Sequence, residues 1–256
     1  MSARELAGEL AIVTGAAQGI GAAIARKLAA HGAAVALADR QVEKAQAVAS
    51  EIVAAGGKAQ AFAVDISQLD SVLNLREAVR SRLGRATVLV NNAAIIPVLD
   101  FLSLSWADWD RTLQTNVSGA FYCSRVFIDD MLAEGRGNII IISSVNGLRA
   151  QVGLSAYNVT KAALIMLAQT MALELAERNI RVNAIAPGDI ATAMADTVPD
   201  ESAALANIPL KRWGLPDEVA EMALFLASPR SAYTTGSVLA CDGGLNAQLY
   251  PFRLPV

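Results

Sequence analysis

Short apolar runs recur along this chain, and the stretches between them repeat apolar positions with the period of an amphipathic helix. Leu10 to Val13 reads as a buried strand, a glycine-punctuated turn covers Thr14 to Gly21, and a helix follows to about Ala30. Ala34 to Ala38 is a second strand ending in Asp39, and Val42 to Ala55 a helix stopped by Gly56 and Gly57. Ala59 to Val64 is a third strand, after which Ser67 caps a helix running to about Leu83. A fourth strand, Val88 to Val90, stops at Asn91 and Asn92. Helices at about Ser105 to Gln114 and Val117 to Leu132 lead to a fifth strand, Asn138 to Ile142. A long helix from about Ser155 ends near Arg178, and a sixth strand, Arg181 to Ile185, is broken by Pro187 and Gly188. Asp189 to about Pro209 has no firm period and suits a lid over a site; a helix from Pro216 to Ala227 and a short strand, Val238 to Ala240, complete the pattern.

Strands that alternate with helices predict an α/β protein with a doubly wound, mainly parallel sheet of about seven strands, covered on both faces. Neither a linker nor a repeat divides the chain, so residues 1–256 are read as one domain, with a lid near 189–209 and an apolar tail, 245–256. In such a sheet, ligands bind beyond the carboxyl ends of the strands. Asp39, Asp65, Asn91, Ser144 and Pro187 each follow a separate predicted strand, so the polar residues of interest gather at that edge.

Composition removes several classes. A net charge of −3 with scattered Lys and Arg leaves no basic footprint for nucleic acid. Apolar residues make up 54% of the chain, yet no stretch of 18 is free of polar groups, so no membrane span is expected. The N-terminus lacks the continuous apolar segment of a signal peptide, which places the chain in the cytosol as an expectation. Cys123 and Cys241 show no paired spacing, and no metal site is expected. The single histidine, His31, precedes Gly32 at a helix end, a capping position; a Ser-His-Asp hydrolase therefore lacks its base.

Three stretches carry chemistry. Gly15-x-x-x-Gly19-x-Gly21 lies between a strand and a helix, where glycines let backbone N–H groups approach a pyrophosphate at the positive helix end. Asp39 comes 18 residues after Gly21, the place of an acid that binds the adenosine ribose of NAD and repels the extra phosphate of NADP; its alternative role is an N-cap. Arg40 beside it pulls the other way. Tyr157 and Lys161, four apart, share a helix face, and an ammonium beside a phenol is expected to lower the phenol's pKa toward that of a neutral-pH acid/base. Taken alone, a Tyr and a Lys at that spacing are more often a solvated helix face than an active site.

Together these ordered motifs resemble the short-chain dehydrogenase/reductase family over almost the whole chain. The glycine turn matches at Gly15, Gly19 and Gly21, the adenine-contacting Asp at Asp65, and the Asn-Asn-Ala-Gly segment at Asn91-Asn92-Ala93-Ala94. Ala94 departs from the family's Gly and adds a methyl to the nicotinamide wall. The family's Asn falls on Asn116, and its carboxamide-binding Pro-Gly-x-x-x-Thr on Pro187, Gly188 and Thr192. A spacing of 13 before the tyrosine selects Ser144 over Ser143, which is read as structural. The resemblance implies a Rossmann fold and an NAD-dependent oxidoreductase acting on a secondary alcohol or ketone. Tyr157 is then the acid/base, Ser144 positions the substrate oxygen, Lys161 holds the nicotinamide ribose, and Asn116 supports a water relay to Lys161. Around the cofactor it places Gln18, Ile20, Ile66, Asn92, Ala93 and Ile190 as well.

Substrate identity is less legible. Ile95, Ile96, Asn146, Arg149, Gln151, Leu154, Asp189 and Met194 follow the strand ends, a mix that suits a polyol, a sugar or a ring-bearing alcohol. Pro209 to Gly214 and Cys241 to Gly244 also resemble 3-oxoacyl-thioester reductases of the family, which usually prefer NADPH; Asp39 argues against that alternative. A non-catalytic dinucleotide-binding regulator would not need Ser144, Tyr157 and Lys161 together. The Ala-, Met- and Leu-rich helices at 117–132 and 156–175 suit the paired faces of a homotetramer, common in the family. The tail is too apolar for a solvated end and is expected to dock, either on its own subunit or, with Tyr250 and Arg253 as polar handles, on a neighbour's substrate region.

Overall fold

The computed structural model describes residues 4–192 and 205–248. Met194, most of the expected lid and the tail from residue 249 onward lie outside the described residues.

Seven strands form one sheet in the order β3-β2-β1-β4-β5-β6-β7: β1 (Leu10–Thr14), β2 (Ala34–Asp39), β3 (Lys58–Ala63), β4 (Val88–Asn91), β5 (Gly137–Ile142), β6 (Ile180–Pro187) and β7 (Val238–Cys241). Every pairing is parallel, with Val13 opposite both Leu37 and Val90, and Pro187 opposite Cys241. Strand order reverses at β1 and β4, which opens a crevice beyond their carboxyl ends.

Helices cover both faces, as continuous apolar strands require. On one face α1 (Gly19–Ala30), α2 (Val42–Ala54) and α7 (Pro216–Ala227) bury Ile24, Leu28, Ile52 and Leu224 against Val13, Leu37, Val90 and Ile140. On the other, α3 (Leu69–Arg82), α5 (Gly119–Glu134) and α6 (Ser155–Leu175) set Phe127, Met131, Leu164 and Met171 against Ile12, Leu89, Ile139 and Ile141. Alternate residues of one strand thus serve opposite cores.

Several expectations are corrected. Ser67 does not cap α3: the helix starts at Leu69 after Gln68, and the Ser67 hydroxyl donates to Asp65 Oδ1 at 2.7 Å. The two helices expected at 105–114 and 117–132 run together. A five-residue π-turn, Gln114–Ser118, joins α4 (Trp106–Leu113) to α5 and presents Asn116 inward. Strand β6 continues through Pro187, whose missing N–H costs nothing at a strand's last residue. His31 and Gly32 end α1 as expected, with Gly32 at φ +99°.

Among the described residues one helix, Ser155–Arg178 with its closing 3₁₀ turn, is long and apolar enough to cross a membrane. Its inner face, from Ala156 and Lys161 to Met171, packs on the sheet, so its length reflects a core helix with an apolar outer stripe.

Candidate active site

A cleft of about 980 Å³ follows the carboxyl edge of the sheet from Asp39, Arg40 and Asp65 at one end to Ser144, Tyr157 and Asp189 at the other. Its floor is built by close packing of β1 on β4. The Thr14 hydroxyl accepts the N–H groups of Asn92 and Ala93 at 3.0 and 3.1 Å, and Asn92 Nδ2 donates to the carbonyls of Thr14 and Gly15. Gly21 has to lack a side chain there: a Cβ would lie 2.2 Å from the Gly15 carbonyl oxygen. Helix α1 then starts at Gly19 with no side-chain cap and no acid in its first turn. Its free N–H groups and positive end face the cleft, a cradle suited to a pyrophosphate.

Asp39 closes the far end and accepts two N–H groups, Ala17's on Oδ2 at 3.0 Å and Gln41's on Oδ1 at 2.9 Å. It thus fastens the glycine turn and supports the start of α2, whose N-cap is Gln41. Arg40 leans away toward Asp65, 3.9 Å distant, and is mostly exposed. Gln18, Ile20, Ile66, Ala93, Pro187, Gly188, Ile190 and Thr192 also line the cleft, so every residue expected around the cofactor is brought to it. The uncapped N–H groups of α1, as donors, and the carboxylate of Asp39, as acceptor, are what a dinucleotide's diphosphate and ribose need.

At the other end, the four-residue spacing in α6 puts Lys161 Nζ 5.4 Å from the centroid of the Tyr157 ring. Lys161 is 2% exposed and donates to the Ile142 carbonyl at 2.8 Å; burial lowers its pKa to about 7. Tyr157 departs from expectation. Burial raises its pKa, and the hydrogen bond to Ser144 only partly offsets this. The expected depression by an adjacent ammonium is missing because desolvation weakens the charge on the lysine itself. Ser144 Oγ also donates to Asn146 Oδ1 and accepts the Asn146 N–H, both at 3.1 Å. Ser143 is structural as read, its hydroxyl donating to the Lys161 carbonyl at 2.7 Å.

Asn116 is 1% exposed, and its amide is wholly engaged: Oδ1 accepts the Ile95 N–H at 2.8 Å, while Nδ2 donates to the Ile95 carbonyl at 2.9 Å and to Thr160 Oγ1 at 3.1 Å. These bonds clamp the β4 loop to α6. Gln151, Leu154 and Asp189 line the substrate end with Asn146; Arg149 does not, donating instead to the Gln248 carbonyl at 3.1 Å. Ala94 is exposed on the cleft wall, where its methyl displaces nothing.

Sequence reasoning missed Asn158, whose amide donates to the Gln151 carbonyl at 2.9 Å and accepts from Asn146 at 3.1 Å, tying the loop to α6. A carboxamide next to the tyrosine in a helix's first turn was the available signal. It also missed Thr160, which bonds the Tyr157 carbonyl, a common helix contact that conceals its second role toward Asn116. Val152, also in the wall, gave no sequence signal, and Trp213 was legible only as part of the 209–214 segment.

A family profile described as enoyl-(acyl carrier protein) reductase matches residues 15–246. The chain is 38% identical to a 3-oxoacyl-[acyl-carrier-protein] reductase of Thermotoga maritima over 94% of its own length and 98% of that protein's. It superposes with a TM-score of 0.92 on a short-chain type dehydrogenase/reductase from Mycobacterium marinum, 36% identical, covering 96% of this chain and 98% of that one. A gluconate 5-dehydrogenase from Burkholderia cenocepacia, solved with NADP and tartrate, is 32% identical with a TM-score of 0.91, covering 97% and 99% of the two chains. With the sheet order, the glycine turn and the Ser144, Tyr157 and Lys161 cluster all in place, the chain belongs to the short-chain dehydrogenase/reductase family of oxidoreductases.

Proposed function

We propose that this protein interconverts a secondary alcohol and its ketone with NAD(H), acting on a polyol, a sugar or a ring-bearing alcohol. The observation that carries the reading is the convergence of the Ser144 and Tyr157 hydroxyls, with Lys161 behind the ring, at the end of a cleft whose other end is Asp39. When bound, the nicotinamide cofactor supplies or accepts the hydride. Gly19 and the first turn of α1 would hold its diphosphate, Asp39 its adenosine ribose, and Pro187, Gly188, Ile190 and Thr192 its carboxamide end.

The chain's own residues do the proton chemistry. Tyr157 donates its hydroxyl proton to the substrate oxygen in reduction and takes it back in oxidation, while Ser144 gives that oxygen a second donor. Lys161 presents its ammonium below the ring and favours the phenolate whenever it is protonated. Asn116 is a positioning residue, fixing Ile95 and, through Thr160, the turn that carries Tyr157.

A carboxylate at Asp39 disfavours the 2′-phosphate of NADP, since it would place two anions together with only the exposed Arg40 near. The 3-oxoacyl-thioester reductase reading is kept as a second one because the Thermotoga relative bears that name. Steady-state kinetics on secondary alcohols, ketones and an acetoacetyl thioester with both cofactors separates the two. The expected result is a higher kcat/KM with NAD(H) and with a free alcohol or ketone, and a narrower cofactor gap in Asp39→Ala. NADPH preference with the thioester as best substrate would replace the first reading by the second.

A further inference from the structure

The substrate end of the cleft carries a carboxylate that no described residue neutralises. Asp189 follows Pro187 and Gly188 at the end of β6, and its main chain is fixed. Its carbonyl accepts the Gly214 N–H at 2.9 Å, and the Ala191 N–H donates to the Gly214 carbonyl at 2.8 Å. Its side chain is exposed on the cleft wall, with no hydrogen bond or ion pair among the described residues, and desolvation by the surrounding protein raises the pKa of its carboxyl.

Among the described residues, the cations of the neighbouring segments are engaged elsewhere. Lys161 is held by the Ile142 carbonyl and, with its pKa near 7, is a weak counter-charge at neutral pH. Arg149 donates to the Gln248 carbonyl, and Lys211 to the carbonyls of Leu205 and Ala206. Arg212 is forked onto Glu218 at 2.8 and 2.6 Å. Two neutral carboxamides, Asn146 and Gln151, line the same cleft.

We propose that Asp189 determines specificity by charge: the site admits neutral or cationic hydroxylated substrates and rejects those carrying a carboxylate near the reacting carbon. The proposal rests on the hydride-transfer reading above. It sets this chain apart from its gluconate 5-dehydrogenase relative, whose named substrate is an acid. A second anion within a few ångströms of Asp189 meets a repulsion that no described cation offsets.

The test uses substrates matched in all but charge: ethyl 3-oxobutanoate against 3-oxobutanoate, and glucitol against gluconate, each with NAD(H). The wild-type enzyme is expected to favour the neutral member of each reactive pair by at least about tenfold in kcat/KM. Asp189→Asn, which keeps the backbone pairing with Gly214, should shrink that ratio about tenfold by raising the rate with the acid, and Asp189→Glu should retain it. Equal use of both members by the wild type, or a preference for the acid, overturns the proposal. So does an unchanged ratio in Asp189→Asn, with the oxidoreductase reading left intact. If no alcohol or ketone of the wider panel is turned over, the hydride-transfer reading falls and takes this one with it.

Discussion

Tyr157 and Lys161 lie four residues apart on one helix face, and burial acts on them in opposite directions, raising the phenol's pKa and lowering the ammonium's. The pairing was legible from spacing; the directions were not, because sequence shows neighbours along a helix and not the depth at which the sheet buries them. Two outcomes follow from the geometry. Tyr157→Phe removes the proton donor while keeping the ring packed beside Lys161, so turnover should fall by at least about a thousandfold, with NADH affinity from fluorescence titration within threefold of wild type. Activity within a few-fold of wild type would end the assignment. Lys161 concerns stability. Its folded pKa of about 7 lies below its ordinary value of 10.5, so between those pH values the unfolded chain binds the extra proton and stability rises with pH. Lys161→Met should flatten the rise of Tm between pH 7 and 10, as read by calorimetry. An identical slope in both proteins would show that the lysine is not buried as described.

Among the elements, strands and long helices were readable because each is a sustained pattern: Ile139 to Ile142 is apolar on both faces, as a central parallel strand must be. What escaped was set by single tertiary bonds. Ser67 turns back to Asp65 instead of capping α3, and the turn at 114–118 widens to a π-turn because Asn116 has to reach Ile95 and Thr160. The glycine turn was legible as a phosphate cradle. Two of its glycines also serve packing, since a Cβ on Gly15 would come 2.8 Å from Ala93 Cα and one on Gly21 would press on the Gly15 carbonyl. Gly21→Ala should therefore cost about 1–3 kcal/mol of stability, in the range of overpacking, and weaken dinucleotide binding as well. Chemical denaturation and cofactor titration check the two effects; unchanged values in both would mean that β1 and β4 are not packed so closely.

For the molecule as a whole, the apolar excess of the sequence resolves into two populations. One is the pair of cores on the two faces of the sheet; the other is exposed, and part of it lies on the outside of α5 and α6, where Phe121 is 49% exposed, Val159 46%, Met166 62% and Leu173 83%. Val159, Met166 and Leu173 are seven residues apart, two helical turns each, and so form a seam on the side of α6 away from the sheet. A seam of this kind beside an apolar α5 is costly to leave in water and is self-complementary across a two-fold axis, where α5 and α6 of one subunit meet the same pair of another. We propose this face as the principal contact of a homo-oligomer, the tetramer common in the family being the expected form. Light scattering at micromolar concentration should give an integral multiple of the 26.8 kDa chain mass, and Met166→Glu with Leu173→Glu should lower that multiple while circular dichroism stays that of the folded chain. Lys161 and Tyr157 sit on the opposite face of the same helix, so the dissociated variant should also lose activity as α6 loses its outer support. A wild-type mass equal to one chain, or a variant that keeps both its mass and its activity, would remove this face from the assembly.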